Sequence, residues 1–240
     1  MRGTGDATPS LDVADVARRF GTSWVLRGVT LDVHAGEVVG LMGANGSGKS
    51  TLLRIIATLL RSQHGSVRVC GHDVARAPHS VRACIGYLAH SPGLYDDLTA
   101  RENLAFAATM LEREHSDVDR VLDRVGLSSA AGRQVRRMSA GMQRRVALAR
   151  LILTEPRVLL LDEPYANLDP DGIALFNSLL AEWVSNGAAA LIVLHERAPA
   201  SGLLDRSLMM LDGRSTPMAE AGDAQHHTSG APHLTLVAGR

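Results

Sequence analysis

The sequence predicts an α/β fold built around a parallel sheet, and three observations carry that prediction. Glu37–Met42 reads as a short buried strand, Gly43 to Ser50 has the spacing Gly, four residues, Gly-Lys-Ser, and Thr51–Ala57 reads as a helix. Arg157-Val158-Leu159-Leu160-Leu161-Asp162 is a second apolar strand, and it ends on an acid. Asp169-Pro170 then opens a helix, and Ala189 to Leu194 follows as another apolar run. Apolar strands that alternate with helices are the pattern of parallel βαβ units.

The glycine-rich segment defines the chemistry of that fold. Gly43, Gly46 and Gly48 let backbone N–H groups turn inward around phosphate oxygens, and the following helix start adds its dipole to the same anion. The expected core is therefore of the P-loop NTPase type. Gly43, Ala44, Asn45, Gly46, Ser47, Gly48, Lys49, Ser50 and Thr51 form its nucleotide site. Lys49 would reach the terminal phosphates, and the Ser50 hydroxyl would bind Mg²⁺. Lys49 is the single lysine of the chain, which elsewhere uses arginine for its cations. A planar guanidinium is a poor substitute for a compact ammonium in such a loop.

Taken in order, the chain begins with residues 1–10, rich in Gly, Thr, Pro and Ser and expected to be loose. A strand-like segment runs from Leu11 to Phe20, Gly21-Thr22-Ser23 is a turn, and Val29–Val33 alternates as a half-buried strand. This β-rich, antiparallel opening is a surface on which a base could rest. Gly65–Cys70 and Ala83–Leu88 read as further strands, and His90–Asp97 as a loop. Thr99-Ala100-Arg101-Glu102 is a capping box that opens a helix to about Glu112. Two more helices start after Ser116 and after Ser139. Consecutive helices without intervening strands indicate an inserted helical subdomain at about residues 91–150. Ser207–Leu211 is read as the last strand, with Asp212-Gly213 as its turn. The domain is thus set at residues 11–213, and residues 214–240 are expected to be a flexible tail.

Composition narrows the setting. Formal net charge is +0, so nothing implies bulk attraction to nucleic acid or anionic lipid, and no nucleic-acid partner is expected. Aromatics are only 3%, so the core is aliphatic. Cys70 and Cys84 lie far apart in the chain and match no metal or redox spacing, as expected of small core residues in a reducing compartment. No apolar run is long enough to span a bilayer and no apolar signal segment opens the chain, so a cytosolic protein is expected.

Asp162 and Glu163 place two carboxylates at a strand end, where α/β sheets bind ligands. Adjacent positions point to opposite sides, so their roles must differ. Asp162 would hold Mg²⁺, and Glu163 would polarise the water that attacks the γ-phosphate. Ser139 caps a helix and is followed by Ala140-Gly141, which admit a close backbone approach. On its own this segment reads as an ordinary capped helix.

The glycine loop, Met138-Ser139-Ala140-Gly141-Met142, the Asp162-Glu163 pair, Ala166-Asn167-Leu168-Asp169 and His195 occur in the order seen in ATP-binding-cassette (ABC) ATPases, which the chain resembles over about residues 11–213. The resemblance implies ATP hydrolysis with Mg²⁺, coupled to transport across a membrane. Ser139, Ala140, Gly141 and Met142 resemble the signature that closes over ATP bound to a second subunit, so a homodimer is implied. Asn167, Leu168 and Asp169 resemble the loop that joins the two sites, and His195 the switch histidine at the γ-phosphate. Phe20 sits where the family places an aromatic that stacks on adenine; a core phenylalanine is the alternative. The resemblance also implies separate integral membrane subunits and a peripheral position on the inner face of the cell membrane.

Two positions depart from the family pattern. Met142 replaces a glutamine of the signature. His90 replaces the glutamine that senses Mg²⁺ and the lytic water, and it brings a group that titrates near neutral pH. His90-Ser91-Pro92-Gly93, Leu98–Leu104 and the helix through Arg150 resemble the ATPase subunit of haem exporters of cytochrome c maturation. Related drug and lipid exporters share most of these features. A soluble cassette protein acting on ribosomes or DNA is the reading from another class. It is opposed by the lack of fused cassettes, long insertions and basic tails.

Overall fold

The structure, a computed structural model, describes residues 8–195, 200 and 202–218. Two sheets organise it. The first is antiparallel in the order β2-β1-β4-β5, from Leu11–Phe20 (β1), Ser23–Val33 (β2), His64–Val69 (β4) and His72–Asp73 (β5). The second comprises Val38–Met42 (β3), Ile85–Leu88 (β6), Val158–Asp162 (β7), Ala189–Val193 (β8), Arg206–Leu211 (β9) and Arg214–Pro217 (β10). Its order is β10-β9-β3-β8-β7-β6, parallel throughout except for the edge strand β10.

The apolar strands are continuous because both faces of this sheet are covered. Val39, Leu41, Val158, Leu160, Leu191 and Val193 face helix α1 (Lys49–Ile56) and the antiparallel sheet, where Leu52, Leu53, Ile55 and Ile56 are fully buried. Leu159, Leu161, Ala190 and Ile192 face the opposite core, with helices α5 (Ala140–Thr154) and α6 (Pro170–Ser185). Helices α3 (Ala100–Met110) and α4 (Ser116–Arg124) pack on α5 and complete that core. No strand intervenes between α3 and α5. The capping box at Thr99 and Glu102 is formed as its sequence requires.

Four details differ from the sequence reading. Strand β10 pairs with β9 from Arg214 to Pro217, so Leu211 does not end the last strand and the tail does not begin at residue 214; residues 219–240 lie outside the described residues, as do 1–7. Strand β2 begins at Ser23, not Val29, because the β1–β2 hairpin pairs Phe20 with Ser23 across the turn. A helix, α2 (Pro78–Cys84), occupies a stretch whose end was read as strand. It buries only Val81 and Cys84, too few positions to display a helical period. The fold also brings Cys70 and Cys84 together: both are free thiols, they share a hydrogen bond, and burial raises the Cys70 pKa to about 11. Such a thiol stays protonated and unreactive.

Candidate active site

Four segments leave the carboxyl ends of four parallel strands. The glycine loop follows β3, His90 follows β6, Asp162 ends β7 with Glu163 after it, and His195 follows β8. Strand order β3-β8-β7-β6 sets them side by side at one edge of the sheet. This is the crevice where open α/β sheets bind ligands.

The loop requires its glycines. Gly43 has φ 145°, and a Cβ there would lie 2.4 Å from the Met210 carbonyl oxygen. Gly48 has φ 104°, and its Cβ would lie 2.7 Å from Leu26. Gly48 starts α1 without a side-chain cap, so the first N–H groups of the helix remain free for an anion. Lys49 is buried, and its Nζ donates to the Gly43 and Ala44 carbonyls at 2.7 and 2.9 Å. Burial lowers its pKa, and Glu163 and Asp162 partly offset that effect.

Asp162 is only 2% exposed, and its Oδ1 has no hydrogen-bond partner, while Ser50 bonds the carboxyl group. Burial raises its pKa, and the Ser50 hydrogen bond opposes the rise. An orphaned carboxylate oxygen beside a hydroxyl is a hard-oxygen pair that fits Mg²⁺, which takes one or two protein ligands and completes its shell with phosphate and water. When bound, that ion would neutralise developing charge on the phosphates.

Glu163 sits between two histidines. Its Oε1 is 2.6 Å from His195 Nε2, and its Oε2 is 3.2 Å from His90 Nδ1. Its φ is 50°, a left-handed conformation rare for a residue with a side chain. The carboxylate is partly accessible and held by imidazoles on both sides, whereas Asp162 is buried. Two carboxylates in such different surroundings suit different roles, one accessible and paired with imidazoles, the other buried beside a hydroxyl.

These features suffice to place the chain among known proteins. A family model described as ABC transporter matches residues 26–166. The chain belongs to the ABC transporter family. It is 35% identical to the daunorubicin resistance ATP-binding protein DrrA3 of Streptomyces coeruleorubidus, over 93% of this chain and 72% of that protein. It is 37% identical to the cytochrome c biogenesis ATP-binding export protein CcmA 2 of Cupriavidus metallidurans, over 80% of this chain and 92% of that one. A solved dimeric ATP-binding cassette, in a post-hydrolysis state with ADP and phosphate, superposes with TM-score 0.76 at 26% identity, over 85% of this chain and 96% of that one. The fold is that of an ABC ATPase, and the chain is the ATP-binding, ATP-hydrolysing subunit of an ABC transporter. Among the described residues no helix is long and apolar enough to cross a membrane.

The remaining expected residues of this ABC ATPase lie elsewhere. Ser139 caps α5 by accepting from Met142 N at 3.2 Å, and Ser139 and Ala140 are exposed. A Cβ on Gly141 would stand 2.9 Å from the Asn167 carbonyl oxygen, so the Ser139–Met142 segment and the Asn167 loop are packed together. Met142 contributes its sulfur to Arg133 Nη1 at 3.9 Å. Asn167 has φ 62°, Leu168 packs on the core, and Asp169 caps α6 through Gly172 N at 2.8 Å while accepting from Arg145. Phe20 is 47% exposed with the Arg18 guanidinium over its ring, and it does not line the cavity beside the glycine loop. Trp24 does. That cavity, about 430 Å³, is bounded by Trp24, Arg27, Ala44 to Ser47 and the Asp212-Gly213 turn. Trp24 was missed in the sequence; its signal is a second aromatic at the same hairpin, on the strand that borders the loop.

Proposed function

We propose that this ATPase drives an exporter, and that its cargo is haem for cytochrome c biogenesis. The observation that carries the reading is His90. It stands 3.2 Å from Glu163, and it opens the His90-Ser91-Pro92-Gly93 loop whose resemblance is to haem exporters. The cytochrome c biogenesis relative supports the same reading, since this chain spans nearly all of its length. Glu163 acts as the base, His195 and His90 orient it and the water, Lys49 and Ser50 hold phosphate and Mg²⁺, and Asp162 is the second metal ligand. Two copies pair through Ser139–Met142 and Asn167–Asp169, of which Ser139, Ala140, Asn167 and Asp169 are exposed. The dimeric cassette supports that pairing.

The ATPase need not touch haem. It transmits work by binding its membrane partner better in one nucleotide state. An apolar groove of about 300 Å³ beside the His90 loop is lined by Asn103 together with Tyr95, Phe106 and Met110, which are 55%, 48% and 70% exposed. A cytoplasmic segment of the membrane subunit docks there, which places the ATPase on the inner face of the membrane. Deleting the gene should lower covalently haem-stained c-type cytochromes and leave haem synthesis intact. Normal cytochromes with a loss of drug resistance would replace this reading with a drug exporter, in line with the daunorubicin resistance in the name of DrrA3.

A further inference from the structure

We infer that Arg144 is a positioning residue that joins the loop at Ala89-His90 and the strand end at Asp162–Pro164 into one unit and so sets the spacing between His90 and Glu163. The inference rests on the proposed roles of those two residues in hydrolysis.

Arg144 lies on α5, and only 2% of it is exposed. Its side-chain acceptors are all main-chain carbonyls. Nη1 donates to Ala89 O at 2.7 Å and His90 O at 3.4 Å. Nη2 donates to Asp162 O at 3.1 Å and Glu163 O at 2.7 Å, and Nε donates to Pro164 O at 3.3 Å. A guanidinium carries five N–H donors in a rigid plane, and here it meets five carbonyls from two strand ends. A lysine ammonium has three donors and no fork. Burial lowers the Arg144 pKa to about 10, so the side chain remains a cation at neutral pH.

Two consequences follow for the site. Glu163 holds a left-handed φ of 50°, a conformation that persists only where its surroundings impose it. Arg144 grips the carbonyls of Asp162, Glu163 and Pro164, on both sides of that backbone. It also grips the carbonyl of His90 itself, whose Nδ1 meets Glu163 at 3.2 Å. The same helix extends the hold outward, since Arg150 donates to Pro92 O and Gly93 O, each at 2.7 Å. The loop bearing His90 and the acid at the end of β7 therefore move with α5 as one body. Ala89-His90 and Asp162-Glu163 follow the paired ends of β6 and β7, where Leu88 faces Leu161; past that pairing the His90–Glu163 contact joins the side chains and Arg144 joins the two backbones. A displacement of about 1 Å in such a constellation costs on the order of 100-fold in rate.

The test uses the purified full chain, with steady-state ATP hydrolysis and calorimetric ATP binding in Mg²⁺. Arg144→Lys should lower kcat about 10- to 100-fold and leave the Kd for ATP within about threefold, because the phosphate loop is untouched. Arg144→Met, which fills the volume without donors, should be slower still. In the Glu163→Gln background, Arg144→Lys should add little, since its effect passes through Glu163. Unchanged kcat in Arg144→Lys would overturn the inference, as would a weakened ATP affinity with kcat kept. Full multiplicative loss in the double variant would also overturn it. If both Arg144 variants lose a cooperative unfolding transition, the residue serves stability and the inference falls. If Glu163→Gln alone retains turnover, the assignment of Glu163 fails, separately from Arg144.

Discussion

Replacing Lys49 with methionine keeps the alkyl stem in its buried slot and removes only the ammonium. The ammonium is 2.7 and 2.9 Å from two carbonyls of the glycine loop, where the proposed function puts the phosphates. Hydrogen bonds to a charged group contribute roughly 1.5–3 kcal/mol, so Lys49→Met should weaken ATP binding about 10- to 150-fold. The free protein should lose little. Ala44 is exposed and Gly43 half-buried, so both carbonyls can turn to water, and unfolding free energy should change by less than about 1 kcal/mol. The pH signature has a definite sign. Burial depresses the folded pKa of Lys49 below its model-compound value of 10.5, so the folded chain holds this proton less tightly than the unfolded one. Wild type should therefore gain stability relative to Lys49→Met as pH rises toward 10.5, and the gain is complete above it. Titration calorimetry with MgATP and urea unfolding across pH test both halves. Unchanged affinity would refute the phosphate role. A loss of affinity matched by a collapse of stability would show that the ammonium serves the fold.

His90→Gln should keep ATP affinity and leave hydrolysis measurable; a fall in affinity like that of Lys49→Met would contradict its place beside Glu163. Trp24→Ala should weaken ATP binding by about 1–3 kcal/mol, because stacking on a base is of that size and Trp24 lines the loop cavity. Phe20→Ala should cost less, and a loss confined to Phe20 in fluorescence titrations would show that its ring turns in over the adenine.

Much of this site could be read directly because its partners leave local marks. The glycine loop needs positive φ at fixed positions, and only glycine supplies that cheaply, so Gly43, Gly46 and Gly48 are visible in the chain. The strands β3, β7 and β8 are buried on both faces, so their apolar runs stand out, and Asp162 marks where one run ends. Helix α2 is hidden because seven residues with two buried positions show no period. Strand β10 is hidden because Arg214, Ser215 and Thr216 form an exposed edge with no apolar face. The tether from Arg144 leaves no trace at all: its acceptors are carbonyls, which every residue carries. The contact of Cys70 with Cys84 is equally silent, since it is made where the turn between β4 and β5 meets the end of α2.

The central claim is that Glu163, held between His90 and His195, performs the base step of ATP hydrolysis. The measurement is the turnover number and ATP affinity of Glu163→Gln in the full chain with Mg²⁺. The amide keeps the size of the side chain and a hydrogen-bonding oxygen but cannot take a proton. General-base catalysis supplies about 10²–10⁴-fold, so kcat should fall by that factor while ATP still binds and a dimer with bound ATP accumulates. Near wild-type turnover in that variant would contradict the account, whatever the affinity.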